Sequence, residues 1–310
     1  MTQTLTSPIA HPAVERKLVL TRVFDAPRSL VYKAWTDPQQ LAQWWGPTGF
    51  TNPVCELDLK PYGEIRIDMR GPDGTVYPTA GAFREIAEPE RLVFTSAALD
   101  GNGKPMFENL NTVTFEEFEG SKTLLTIKVN VLWESEAAAP ALAGMSLGWS
   151  LTIDRLADFV TTGSVDTSDR EISAMRLFKA PRELVFRMWT EAEHVKQWWG
   201  PRGFTNTIHN MDVRPGGEWR LIMHGPDGRD YPNEYIYEEV IVPERLVLHH
   251  VNAPVHRKYI SFFDAGEGTM VSVRLLFETA ELRTHVAKEY GAEKGLLDNL
   301  DRLQEHLADL

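Results

Sequence analysis

A carboxylate and a guanidinium, Asp58 and Arg66, recur as Asp212 and Arg220, and such a pair could steer a proton or hold a polar substrate. Counting across a hairpin centred on Tyr62 sets residue 58 opposite residue 66, with Leu57, Leu59, Ile65 and Ile67 on the other face. The spacing therefore predicts a cross-strand ion pair on the outer face, worth about 0.2–1 kcal/mol. Histidines are the second group, and eight of the nine lie from His194 onward: His194, His209, His224, His249, His250, His256, His285 and His306. His209 stands where the first half has Cys55, at an inward strand position, and the adjacent His249 and His250 face opposite ways. No pair shows the helical zinc spacing with a glutamate between. Nucleophile elbows, phosphate loops and Cys-His pairs are also missing, so neither a catalytic set, a metal nor a cofactor is expected.

The third group is tryptophan. Gln43-Trp44-Trp45-Gly46-Pro47 recurs 154 positions later as Gln197-Trp198-Trp199-Gly200-Pro201. In each pair one ring anchors a short helix on a sheet, as does Trp35 or Trp189. The other can line the mouth of a cavity, where a flat ring with an N–H suits an amphipathic ligand. The same offset carries Ala26-Pro27-Arg28 onto Ala180-Pro181-Arg182 and Gly71-Pro72-Asp73-Gly74 onto Gly225-Pro226-Asp227-Gly228. It also carries Pro89-Glu90-Arg91-Leu92-Val93 onto Pro243-Glu244-Arg245-Leu246-Val247. A repeat of this length is a duplicated domain, since solenoid units run to about 20–50 residues.

The elements that must position these residues can be read in order. Residues 17–24 alternate as a strand, and Pro27 opens a short helix with Leu30, Val31, Ala34 and Trp35 at helical spacing. Asp37-Pro38 caps a second short helix that ends at Gly46-Pro47. Strands follow at 55–59 and 65–70, and near 77–87, 91–98, 107–118 and 122–133. From Ala138 a helical stripe of Leu142, Met145, Trp149, Ile153, Leu156 and Val160 appears, matched at the end of the chain by Leu296, Leu300, Leu303 and Leu307. Asp154-Arg155-Leu156 aligns with Asp301-Arg302-Leu303, an offset of 147, so the second copy is seven residues shorter before its last helix. The pattern is α+β. It predicts a flexible tail at 1–14, domains at 15–162 and 170–310, and a linker at 163–169.

Phe24, Ala26-Pro27-Arg28, Leu30-Val31, Trp35-Thr36 and Trp44-Trp45-Gly46-Pro47 followed by Gly49-Phe50 all recur 154 positions on. This order resembles the activator of heat-shock protein 90 ATPase homologue family, within the START-like (SRPBCC) superfamily. The resemblance implies tandem helix-grip domains, each a curved antiparallel sheet wrapped around a long C-terminal helix with an apolar pocket between. It implies no single reaction, because the superfamily includes lipid carriers, cyclases, resistance proteins and regulators.

The expected function is therefore binding of hydrophobic or aromatic small molecules in each pocket. The lining is expected from Trp35, Trp44, Trp45, Ile65, Ile67, Met69, Phe94, Met145 and Trp149 in the first copy. In the second it is expected from Trp189, Trp198, Trp199, Trp219, Leu221, Met223, Leu248, His250 and Leu296. Ile65 against Trp219 and Ser96 against His250 predict a second pocket that is smaller near Trp219. The rival readings are a cyclase- or hydrolase-like activity in the second pocket and a chaperone-ATPase regulator with an unknown protein partner. The regulator ranks last because two copies of one domain fill the chain. A net charge of −12 argues against nucleic acid and anionic membrane surfaces as partners. Cys55 is the only cysteine, and no apolar run reaches spanning length, so no membrane insertion and a cytoplasmic protein are expected.

Overall fold

The computed structural model describes residues 17–47 and 49–310; the expected tail at 1–14 and the expected domain start at 15 lie outside the described residues. The chain divides into two compact units between Val165 and Asp166. The first runs β1 (Lys17–Phe24), α1 (Arg28–Thr36), α2 (Pro38–Trp44), β2 (Thr51–Leu57), β3 (Glu64–Arg70), β4 (Val76–Ala87), β5 (Arg91–Leu99), β6 (Pro105–Phe118) and β7 (Lys122–Glu134). A 3-10 turn at Glu136–Ala138, α3 (Ala139–Ala143) and α4 (Met145–Thr162) close it. The second runs β8 (Glu171–Phe178), α5 (Arg182–Thr190), α6 (Ala192–Trp198), β9 (Thr205–Met211), β10 (Glu218–His224), β11 (Asp230–Ile241), β12 (Arg245–His250), β13 (His256–Asp264) and β14 (Thr269–Phe277). It ends with α7 (Ala280–Glu289) and α8 (Ala292–Ala308).

Each unit is one seven-stranded sheet, ordered β1-β7-β6-β5-β4-β3-β2 and β8-β14-β13-β12-β11-β10-β9, with every pairing antiparallel. The first strand therefore closes the sheet beside the last, leaving one face for the helices. The stripe of α4 buries Ile153 and Leu156 against Val113, Phe115, Ile127 and Val129, and that of α8 buries Leu296, Leu300 and Leu303. These are the tandem helix-grip domains implied by the motifs. The helical stripe read from Ala138 is interrupted at Gly144, however, so Leu142 belongs to the separate α3.

The short helices form for local reasons. Pro27 supplies an extended residue with no N–H to orphan before α1. The Asp37 carboxylate accepts from the N–H groups of Gln39 and Gln40 at 2.9 and 3.3 Å to start α2. At the equivalent place Glu191, one methylene longer, makes no cap and instead pairs with Arg187 at 2.7 Å.

Two expectations need correction. In the first hairpin Arg66 lies opposite Glu56, not Asp58. The turn occupies 58–63, with Tyr62 at φ 64, so Asp58 has left the ladder and pairs with Lys60 at 2.7 Å, while Arg66 pairs with Asp68 at 3.2 Å. Likewise Asp212 pairs with Arg214, and Arg220 with Glu218 and Glu234. All four residues remain on the surface or at its margin. His209 is exposed rather than inward, because a bulge between Arg220 and Leu221 sets Ile208 opposite Leu221.

One arginine on each terminal helix ties the unit together. Arg155, buried on α4, donates to the carbonyls of Gln43, Trp45, Gly46 and Pro47 at 2.8, 3.3, 2.8 and 2.9 Å. Arg302 on α8 repeats this to Gln197, Trp199, Gly200 and Pro201 at 2.9, 3.2, 2.8 and 3.0 Å. The preceding aspartate reaches the other way: Asp154 faces Arg22 of β1 at 3.8 Å, and Asp301 meets Arg176 of β8 at 2.6 Å. An ammonium has no fork to span four carbonyls. Arg155→Lys is therefore expected to destabilise the first unit by about 2–3 kcal/mol, read as a lower denaturant midpoint. An unchanged midpoint would mean that these carbonyls do not depend on the guanidinium.

Candidate functional site

In the first unit the space between sheet and helix is walled by rings. Trp44 is fully buried and its indole N–H donates to the Ala34 carbonyl at 3.0 Å, which pins α2 to α1. Trp45 turns the other way and meets Trp35 and Trp149 edge-on, with centroids 5.9 and 5.4 Å away. Trp149, from α4, lies nearly parallel to Trp35 at 6.4 Å and 16° and stays partly exposed. Phe94, Ile65 and Ile67 are buried beneath this group. Met69 serves the motif loop: its sulfur sits 3.1 Å from where a Cβ on Gly46 would stand, and Gly46 itself has φ +90. That combination requires glycine there.

Polar groups join this aromatic wall. Asn111 donates to the Phe94 carbonyl at 3.3 Å and to Ser96 Oγ at 2.8 Å, and Asn109 lies 3.9 Å from the Met145 sulfur. The Oδ1 atoms of Asn109 and Asn111 are buried and accept no hydrogen bond among the described residues. The sequence reading missed both, since alternation around Leu110 does not say which face of β6 is inward.

The second unit keeps the frame and changes the interior. Trp198 donates to the Met188 carbonyl at 3.0 Å, and Trp199 meets Trp189 edge-on at 6.0 Å. Met223 packs beneath Gly200 as Met69 does beneath Gly46. Trp219 is 1% exposed, stacked on Tyr235 and Tyr237 with centroids at 5.0 and 6.5 Å and touching Trp199 at 4.7 Å. Leu221, Leu248 and Leu296 are buried in the same cluster. Matching ladders set the correspondence: Ile65, Gly81 and Ser96 stand in register as Trp219, Tyr235 and His250 do, and Asn109 and Asn111 correspond to His256 and Lys258.

Lys258 is 6% exposed, with its amine 4.2 Å over the Trp199 ring and 5.5 Å from that of Tyr235. No hydrogen-bond acceptor or carboxylate partners it among the described residues, and burial pulls its pKa down to about 7. A cation–π contact is worth about 2 kcal/mol when desolvated, less than the several kcal/mol needed to bury an ion, so the charge is only partly kept. His250 and His256 stack at 4.8 Å, both with Nδ1 at 2.9 Å from the Pro254 carbonyl. Burial lowers them to about 4 and about 3. It raises the Tyr235 and Tyr237 hydroxyls above the ordinary phenol range. Lys258 escaped the sequence reading because a lysine beside an arginine in His256-Arg257-Lys258-Tyr259 looks like a solvent-facing residue.

Two surface clefts, of about 490 and 430 Å³, lie elsewhere. One is lined by Arg66, Asp68 and the Leu99–Gly103 turn, the other by α7. Among the described residues no group of three or more His, Cys, Asp or Glu side chains could hold a metal, and no helix is long and apolar enough to cross a membrane. The two buried histidines also carry a pH signature. Their folded pKa values lie below the usual 6.5, so the unfolded chain takes up protons first as pH falls from about 6.5 to 4, and stability is lost over that window. Each of the two histidines is expected to remove on the order of 3 kcal/mol of stability from the second unit there. His256→Asn should flatten this dependence in a pH series of thermal melts, and an unaltered slope would refute it.

No curated protein matches the chain. Among solved structures, protein NE0264 from Nitrosomonas europaea is 28% identical, covering 47% of this chain and 95% of its own, with a TM-score of 0.41. A protein from Arthrobacter aurescens is 27% identical, covering 48% and 89%, with a TM-score of 0.44. The di-domain ARO/CYC StfQ from the steffimycin biosynthetic pathway is 15% identical over 94% of this chain and 100% of its own, with a TM-score of 0.37. The family model for Activator of Hsp90 ATPase homolog 1-like protein matches twice, at residues 25–161 and 179–308. The chain therefore belongs to the family of Activator of Hsp90 ATPase homolog 1-like proteins, as a tandem of two START-like domains.

Proposed function

We propose that the chain binds apolar or aromatic small molecules between the sheet and the terminal helix of each unit, without itself requiring a reaction. The observation that carries this reading is Trp149. It is a partly exposed indole on the covering helix, set against Trp35 and Trp45 in an otherwise buried wall. A large ring left incompletely covered at the edge of a core loses packing that a flat ligand can restore. The buried Asn109 and Asn111 oxygens supply acceptors for a ligand donor, which favours an aromatic alcohol or amine over a plain hydrocarbon. The half-buried Cys55, its thiol pushed up to about 11 by burial, is unreactive and suits a protein kept in a reducing cytoplasm.

A cyclase- or hydrolase-like activity in the second unit is the competing reading, favoured by the neutral His250 and His256 near Lys258; it requires turnover and not retention alone. Regulation of a chaperone ATPase, which the family name suggests, would appear as altered ATP turnover by the purified chaperone.

Native mass spectrometry of the full chain with 1-naphthol should show retained ligand. Trp149→Ala should weaken that binding at least tenfold. Its stability cost should fall below the roughly 3–5 kcal/mol of a fully packed tryptophan, because the ring is partly exposed. Asp58→Ala, which removes only an exposed pair with Lys60, should leave binding unchanged and shift stability by under about 1 kcal/mol. Loss of binding in Asp58→Ala with retention in Trp149→Ala would overturn the apolar-site reading.

A further inference from the structure

We infer that the interior of the second unit is a binding site for a small aromatic acid, whose anionic group is held by Lys258. This deepens the proposed function by giving the second site a ligand class distinct from the first, and it rests on that reading only in placing a ligand inside the sheet.

Three observations point to an acid. First, the Lys258 amine is enclosed by Trp199 and Tyr235 and has no acceptor or carboxylate among the described residues. Second, three buried polar atoms of its aromatic surroundings, the indole N–H groups of Trp189 and Trp219 and the Tyr237 hydroxyl, have no partner among the described residues, and all three can donate. The first unit likewise leaves the Trp35 indole N–H and the Tyr32 hydroxyl, but at the positions of His256 and Lys258 it leaves the Asn109 and Asn111 oxygens, which accept. The difference between the units thus lies at these two positions, where amide acceptors give way to a histidine and the Lys258 amine, and an oxygen anion is the complement of that amine with its neighbouring donors. Third, His250 and His256 cannot serve as counter-ions, since a histidine is neutral or positive and both donate toward Pro254.

The ligand body follows from the walls. Trp199, Trp219, Tyr235 and Tyr237 present ring faces and edges, and Leu248 and Leu296 complete an apolar lining. A flat ring carrying one carboxylate fits that chemistry. Its entry displaces part of the ring packing and restores full charge to the amine, because an opposite charge nearby favours the protonated form. The lowered pKa of the free protein, about 7, fits a cation lacking its anion.

The test uses the full chain with 2-naphthoate and its neutral counterpart 2-naphthylmethanol, by titration calorimetry at pH 7. The acid should bind at least tenfold tighter than the alcohol. Lys258→Met, close in size and apolar, should remove that preference by weakening the acid at least tenfold. Lys258→Gln, equally uncharged, should behave the same way, and the wild-type comparison stands even if both variants fail to fold. Sodium acetate should not reproduce the effect; if it matches naphthoate, the aromatic part of the inference falls. Equal affinity for acid and alcohol in the wild type, or a preference that survives in Lys258→Met, overturns the role of Lys258. In the first of those outcomes alcohol binding would still support a hydrophobic site, so the two proposals fail separately.

Discussion

The guanidinium that reaches from the terminal helix to the Trp-Trp-Gly-Pro loop is the contact on which each unit depends. Arg155 gathers four carbonyls, that of Gln43 from the last turn of α2, where helix carbonyls lack an intrahelical partner, and those of Trp45, Gly46 and Pro47 from the stretch between α2 and β2. Gly46 at φ +90 turns those carbonyls toward one point, and Met69 packs where any side chain on that glycine would stand. Only a planar, permanently charged fork can serve so many acceptors at once. The loop is thereby fixed to the helix that covers the sheet, and the second unit repeats the arrangement with Arg302, Gly200 and Met223. Fixing the loop also fixes its tryptophans: one points back into the helix pair, and the other is delivered into the space between helix and sheet.

With that frame held, the interior is free to diverge. Inner-face positions away from the loop, such as Ser96 and His250 or Asn111 and Lys258, differ in size and charge while the loop contacts and the strand order are the same in both units. The first unit has small and amide side chains there, while Trp219, Tyr235, His250, His256 and Lys258 fill the second. Close packing makes the substitutions interdependent: Trp219 lies against Tyr235, Tyr235 against His250, and His250 against His256. A duplicated domain can thus keep one architecture and hold two chemically different interiors.

The separate α3 and α7 were not legible in the sequence, while the repeat, the α+β class, the strand order, the two short helices after the first strand and the apolar stripe of each terminal helix were. Each is written in local period or in exact recurrence, as with Asp37-Pro38 opening α2 or Trp44-Trp45 against Trp198-Trp199. Asp154-Arg155-Leu156 was visible as a second register, yet the job of its arginine was not, because the four carbonyls it serves are backbone groups more than 100 residues away. The hairpin register was misplaced by a turn whose length depends on Tyr62 adopting a positive φ, and His209 by a bulge one strand away. Alternation says that neighbours on a strand face opposite ways; it does not say which way is inward. Tertiary structure alone decided that Asn109, Asn111 and Lys258 are inside, because the direction of a face is set by the helix that comes to cover it.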